Sequence, residues 1–251
     1  MEQEKVIQIK DLKVYYKNHK RTIFGKNRKN QVIKGVSIDV YEGEILGIAG
    51  ESGCGKSTLA KAIVGMNKDI EGVINLKYSD TQMVFQDPYS SLNPSKKIGW
   101  LLEEPLRADK TKDWTPKERK EKALEIMKAI GLPKEMLERY PSQLSGGQRQ
   151  RVSIGVALMR SPKVIIADEP VSALDVTIQA QILQLLRNLH RQYGITILFI
   201  SHDLRVIYQL CDHVAIMKNG IIQEYGVPRD VYRQPKSEYT MELLRAAGIR
   251  A

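Results

Sequence analysis

Cysteine is scarce in this sequence: Cys54 and Cys211 are the only two among 251 residues, and they form no CxxC pair. That excludes a disulfide framework or a structural zinc site as the basis of the fold. Long apolar runs are lacking too. The longest, such as ITILFI at 195–200, fall far short of the roughly 18–20 residues that span a bilayer. The opening MEQEKVIQIK is charged and has no signal-peptide core. A cytoplasmic chain is therefore expected. No internal repeat and no low-complexity segment appears.

What is present is ordinary for a globular chain, 42% hydrophobic and 27% charged, with a net charge of +10. The length suits one large α/β domain, or a core with a subdomain. The positive charge fits a partner that is a nucleotide, a nucleic acid or an anionic lipid surface, and does not choose among them. Its densest part is KNHKRTIFGKNRK at 17–29, with six basic residues and no acid. Lying between two strand-like segments, it reads as a solvated hairpin tip.

VIQIKDLKVYY (6–16) and VIKGVSIDV (32–40) are rich in β-branched and aromatic residues, as in an antiparallel strand pair. EILGIAG (44–50) is continuously apolar and ends in glycine, the pattern of a strand buried on both faces. A helix is expected from Lys56 to about Val64, then short strands at 72–76 and 81–85. Residues 97–140 hold helical patterns and no strand. Thr115-Pro116-Lys117-Glu118 is a helix start with a capping box, and Leu124, Met127 and Ile130 recur on one face behind it. Strands return at 163–169 and 196–202. Between them lies an amphipathic helix carrying Ile178, Ile182, Leu185 and Leu189 and ending at Gly194. Residues 213–226 read as a hairpin turning at Asn219-Gly220, and EYTMELLRA as a closing helix. Strands alternating with helices imply a parallel sheet.

The chemistry begins at GESGCGKST (50–58). Gly50 to Ser57 match G-x4-G-K-[ST] in full at a strand-to-helix junction. In such a loop, backbone N–H groups wrap phosphates, Lys56 reaches the β- and γ-phosphates, and the Ser57 hydroxyl holds Mg²⁺. VIIAD at 164–168 ends an apolar strand in Asp168, a second oxygen ligand for Mg²⁺ in a site of this kind. Glu169 follows, a carboxylate suited to polarise an attacking water. Gln86, after the strand TQMVF, can join the Mg²⁺ shell and sense the γ-phosphate. Cys54 reads as a small residue that fits the loop, and Cys211 as packing at the end of an apolar helix.

A second glycine loop, LSGGQRQR at 144–151, lacks the Lys-Ser pair and the preceding strand of a complete phosphate loop. Taken in order, GESGCGKST, Gln86, LSGGQ, VIIADE, SALD (172–175) and His202 resemble the ATP-binding-cassette (ABC) ATPase family, over nearly the whole chain. The resemblance implies a single α/β domain over 1–251 with a P-loop NTPase fold. Its parts are a mixed-sheet core with an antiparallel β-subdomain, about 1–94 and 156–251, and an inserted α-helical subdomain, about 95–155. It implies ATP and Mg²⁺ as ligands. Gly50, Glu51, Ser52, Gly53, Cys54, Gly55, Lys56, Ser57 and Thr58 would hold the phosphates, and Ser57, Gln86 and Asp168 the metal. Catalysis would fall to Glu169, Gln86 and His202. Tyr16 best matches the aromatic that stacks on adenine, with Tyr15 as the alternative. Family members pair head to tail, so Ser145, Gly146, Gly147 and Gln148 would contact the ATP on a partner's phosphate loop, and SALD would run along the interface.

Only 58 positions separate Gln86 from Leu144, where condensation and repair members carry long coiled coils, so a transporter subunit is favoured. A soluble ABC regulator or nucleic-acid protein using the 17–29 run is the alternative; no nucleic-acid partner is expected. VFQDPYSSLNP (84–94), the stretch from LSGGQ to QAQIL, and the tail PKSEYTMELLRA (235–246) resemble the peptide/nickel importer group. The tail departs from the group's His-Pro-Tyr-Thr pattern, the 72–86 segment is short for the group, and no longer C-terminal extension follows. These departures count against an oligopeptide cargo and leave nickel or metal-chelate import open beside peptide import. The resemblance implies a second ABC ATPase subunit, a paralogue or a copy, two integral membrane permease subunits, and indirectly an extracytoplasmic solute-binding protein. The chain would then sit on the cytoplasmic face of the membrane, with residues around Tyr89 to Leu106 receiving a permease helix.

Overall fold

A computed structural model describes residues 4–17 and 29–249; residues 18–28 of the basic run, His19 among them, lie outside the described residues. In chain order, β1 is Lys5–Lys17, β2 Lys29–Tyr41, β3 Ile45–Ala49, α1 Lys56–Ile63, β4 Ile70–Leu76 and β5 Gln82–Val84. Then come α2 Pro88–Ser91, α3 Ile98–Arg107, α4 Pro116–Ala129, α5 Gly146–Leu158, β6 Val164–Asp168 and α6 Val176–Tyr193. The chain continues with β7 Thr196–Ser201, α7 Leu204–Leu210, β8 His213–Lys218, β9 Ile221–Gly226, α8 Pro228–Arg233 and α9 Glu238–Ala246. No helix among the described residues is long and apolar enough to cross a membrane.

Contacts group the chain into two compact units, Met1–Ser79 with Thr196–Ala251, and Asp80–Ile195. In the first unit β1 pairs antiparallel with β2 and with β4, with Ile9 opposite Ile38 on one side and Ile74 on the other. A second layer runs β7-β3-β8-β9. There β3 is parallel to β7 and β8, and β9 turns back antiparallel. Every residue of β3 and β7 is buried, which is why β3 reads as an unbroken apolar run and β7 has the apolar centre ILFI. The hairpin between β8 and β9 turns at Asn219 (φ 50°) and Gly220 (φ 82°), the two positive φ values that an Asn-Gly type I′ turn requires.

In the second unit β5 and β6 pair in parallel, with Met83 beside Ile166, and the helices α2 to α6 surround this pair in sequence. The capping box at α4 forms as expected: the Thr115 hydroxyl accepts from the Glu118 N–H, and the Glu118 carboxylate accepts from the Thr115 N–H. The buried face of α4 differs from the expected one. It runs through Ala123, Ile126, Met127 and Ile130, while Leu124 is exposed. The spacing 123, 126, 127, 130 keeps the helical stripe unbroken, and Leu124 lies beside it. On α6 the buried side chains are Ile182, Leu183, Leu185, Leu186 and Leu189, with Ile178 half-buried at its edge. Gly194, in the left-handed region at φ 63°, closes α6.

Candidate functional site

The phosphate loop leaves β3 at Gly50 and enters α1 at Lys56. Two glycines are dictated by space and dihedral. Gly50 has φ +153°, and a Cβ there would lie 2.2 Å from the Met217 carbonyl oxygen on β8. Gly53 has φ +80°, and a Cβ there would meet nothing within 4 Å, so the loop is open on that side. The back of the loop is tied to the β8–β9 turn, because the Gly220 N–H donates to the Cys54 carbonyl at 2.8 Å. Lys56 is only 4% exposed. Its ammonium lies inside the loop, donating to the carbonyls of Gly50 at 2.8 Å and Glu51 at 2.9 Å. A buried cation inside a glycine-lined loop fits a triphosphate. Burial pushes the Cys54 thiol up, so it is protonated at neutral pH and is not a nucleophile.

Tyr16 stands on β1 next to this helix. Its hydroxyl lies 3.4 Å from the Thr58 hydroxyl and accepts from the Asn67 side-chain amide at 3.0 Å, while the ring is exposed. Tyr15 faces elsewhere, donating to Glu71 at 3.1 Å. Of the two expected adenine contacts, only Tyr16 has its hydroxyl bonded to residues in or just after α1. His202, in the same unit, follows β7 and is exposed. His213 pairs with Glu44 at 3.1 Å and stacks on Tyr225, and in the other unit the His190 ring meets the Ile195 carbonyl at 2.8 Å. Both are packing histidines.

The second unit holds the carboxylates. β6 delivers Asp168, 3% exposed, at its C-terminal end. Glu169 follows with φ 47°, a left-handed backbone that costs an L-residue on the order of 1–2 kcal/mol. Strain of this kind concentrates at functional positions. The Glu169 carboxylate accepts from the Gln86 amide at 3.4 Å, so two of the three expected catalytic side chains meet here. The Gln86 amide oxygen and the Asp168 carboxylate in this unit, and separately the Ser57 hydroxyl in the first, are each hard oxygen donors of the type Mg²⁺ takes.

Ser145 is the N-cap of α5, in a capping box where its hydroxyl accepts from the Gln148 N–H and Gln148 answers with its side-chain oxygen. Ser145 is exposed, so the LSGGQ glycines open a helix whose positive end faces outward. A Cβ at Gly147 would meet the Ile178 side chain at 2.5 Å; only glycine lets α5 approach α6 there. Asp175 of SALD caps α6, accepting from the Ile178 N–H at 3.0 Å.

Sequence reasoning missed Arg149. It is 9% exposed on α5, donates through Nε to the Pro141 carbonyl at 2.8 Å and through Nη2 to the Leu144 carbonyl. Its guanidinium lies 3.8 Å from the centre of the Tyr89 ring, and Tyr89 itself is 63% exposed. Arg149 thus holds the carbonyl immediately before Ser145.

A family model described as ABC transporter matches residues 33–172. The oligopeptide transport ATP-binding protein OppF of Lactococcus lactis is 42% identical over 257 residues, covering 96% of this chain and 80% of that protein. The dipeptide transport ATP-binding protein DppF of Escherichia coli is 40% identical over 259 residues, covering 97% of this chain and 77% of that one. Among solved structures, the post-hydrolysis dimer of the ATP-binding cassette MJ0796 bound to ADP and Pi has a TM-score of 0.76 at 28% identity, over 89% of this chain and 99% of that chain. The fold is therefore the α/β fold of the ABC ATPase cassettes. With a complete phosphate loop, a strained Glu169 beside Gln86, an exposed LSGGQ helix start, and these matches over most of its length, the chain belongs to the ABC transporter family.

Proposed function

We propose that this chain is the ATP-hydrolysing subunit of an importer that takes up peptides through membrane permease subunits. The observation that carries the reading is the 42% identity to an oligopeptide transport ATP-binding protein over 96% of the chain, joined to a phosphate loop whose buried Lys56 suits a triphosphate. The relatives compared above carry oligopeptide and dipeptide transport in their names, which favours peptide over nickel among the two cargoes the sequence left open.

In this reading, Gly50 to Thr58 hold the triphosphate and Tyr16 stacks on the adenine, a contact that any π-face accepts. Ser57, Gln86 and Asp168 would hold Mg²⁺, which supplies neutralisation of phosphate charge. The Glu169 carboxylate takes a proton from water as the water oxygen forms its bond to the γ-phosphorus. The bond to the β-γ bridging oxygen breaks, releasing ADP and phosphate. Gln86 orients Glu169, and His202 acts at the γ-phosphate end.

Ser145, Gly146, Gly147 and Gln148 act on the ATP held by a second ATPase subunit, a paralogue or a copy. ATP then favours the closed pair, and hydrolysis removes the contact that favours closure. Residues 95–155 form the helical subdomain, and the face from Tyr89 to Leu106 receives a permease helix at the cytoplasmic side of the membrane. An extracytoplasmic binding protein chooses the cargo. The test is reconstitution with the permease subunits and binding protein in lipid vesicles. ATP-dependent uptake of a labelled peptide is expected; uptake of nickel ion without any peptide uptake would overturn the cargo, and salt-sensitive DNA or RNA binding that stimulates turnover would overturn transport.

A further inference from the structure

The tail segment PKSEYTMELLRA takes no part in the chemistry described so far, yet its helix reaches the phosphate loop. Tyr239, in the first turn of α9, is 5% exposed. Its hydroxyl oxygen accepts a hydrogen bond from the backbone N–H of Glu51 at 3.3 Å. Glu51 is the second residue of the loop, and its carbonyl is held from inside: Lys56 Nζ donates to it at 2.9 Å and the Cys54 N–H at 3.3 Å. The residue is thus gripped at both ends, by the loop's own lysine on one side and by a helix 188 positions along the chain on the other.

Tyr239 is itself well fixed. Lys218 Nζ sits 4.2 Å from the centre of its ring. No side chain at Ser237 caps α9; instead the buried carboxylate of Glu224 on β9 accepts the N–H groups of Lys236 at 3.0 Å and Ser237 at 3.1 Å. The chain path from β9 to the loop therefore runs through polar contacts at each step. Burial pushes the Tyr239 phenol up, so it is neutral at physiological pH and a stable acceptor.

We propose that Tyr239 is a positioning residue for the phosphate loop, holding the Glu51 peptide so that the loop and Lys56 are set for a triphosphate before it arrives. A loop ordered in advance loses less conformational freedom on binding, and the difference appears as affinity. The proposal rests on the reading that this loop binds ATP.

The test uses the full chain and the variant Tyr239→Phe, which removes one oxygen and keeps the ring under Lys218. Tyr232→Phe is the matched control: its buried hydroxyl donates to the Leu204 carbonyl at 2.9 Å, in the same unit. ATP affinity is read by calorimetry, folding by thermal melting, and loop order by hydrogen exchange of a peptide spanning 50–58. Tyr239→Phe is expected to weaken ATP binding about two- to tenfold, the range of one net hydrogen bond, and to speed exchange in that peptide. Tyr232→Phe is expected to leave both unchanged, whatever it does to the melting temperature. An unaltered ATP affinity in Tyr239→Phe, or an equal loss in both variants, overturns the proposal while leaving the wild-type ATP site intact. Failure of the wild-type chain to bind ATP would instead remove the phosphate-loop reading, and the proposal with it.

Discussion

Replacing Arg149 by alanine is expected to loosen the second compact unit and disable its LSGGQ loop together. The wild-type guanidinium satisfies two buried carbonyls, those of Pro141 and Leu144. Hydrogen bonds from a charged donor are each worth about 1.5–3 kcal/mol. The Tyr89 ring adds a cation–π contact of about 0.5–1 kcal/mol at an exposed site. Against these stands the desolvation of the guanidinium, which the variant no longer suffers, and one of whose nitrogens, Nη1, is buried without a partner. A net loss of about 3 kcal/mol is the central expectation, a drop in melting temperature of roughly 6–12 °C for a chain of this size. Tyr89→Ala, which removes the stack and keeps both hydrogen bonds, is expected to lower it by only about 1–4 °C. The assay is thermal melting followed by circular dichroism, with ATP turnover of the assembled pair measured alongside. Arg149→Ala melting within about 2 °C of wild type would refute the reasoning, because it would mean that neither carbonyl depends on the arginine.

Further outcomes follow from the same geometry. Glu169→Gln is expected to bind ATP yet lose phosphate release by about 10²–10⁴-fold, the usual worth of a general base; turnover at the wild-type rate would remove Glu169 from that role. Gly50→Ala would press a Cβ against the Met217 carbonyl, 2.2 Å away, and ATP binding by calorimetry is expected to be lost. Asp109 is held down to about 2 by the Thr111 hydroxyl and amide, and Glu118 to about 2 by the Thr115 amide and hydroxyl. Both carboxylates are lowered in the folded chain, so their contribution is complete above their unfolded values near 4 and is lost as pH falls toward 2. The double variant Asp109→Asn, Glu118→Gln is expected to flatten the decline of melting temperature across that window, and an unchanged slope would contradict it.

The local parts of the site were legible in sequence. The phosphate loop is nine consecutive residues, 50–58, that run from the end of a buried strand into a helix. The Thr115 cap lies three residues from its partner Glu118, and the Asn219-Gly220 turn needs only its own two dihedrals. Local spacing carries such features because the contacts that make them are local. What the sequence left dark depends on distant approach. Tyr239 meets Glu51 across 188 positions, and Gly220 meets Cys54 through a backbone bond that no side chain advertises. The left-handed backbone of Glu169 is a conformation, visible in no residue type. Arg149 is a charged residue that is nonetheless buried, because two carbonyls and an aromatic ring stand in for water around it. The exposed Leu124 shows the same limit on α4: three apolar residues at helical spacing defined a face, and packing chose its neighbour.

The central claim is that ATP sits on this chain's own phosphate loop and is completed by the LSGGQ loop of another chain. The most direct measurement is ATP binding and turnover by Ser145→Arg. Ser145 is the exposed cap of α5, so the substitution costs about 1 kcal/mol of helix stability and places a bulky cation where the partner's nucleotide would approach. The isolated variant is expected to bind ATP with the affinity of the wild-type chain, while the assembled pair loses turnover at the partner's site. An isolated Ser145→Arg chain that folds but fails to bind ATP would contradict the claim, because the LSGGQ loop would then belong to the chain's own nucleotide site.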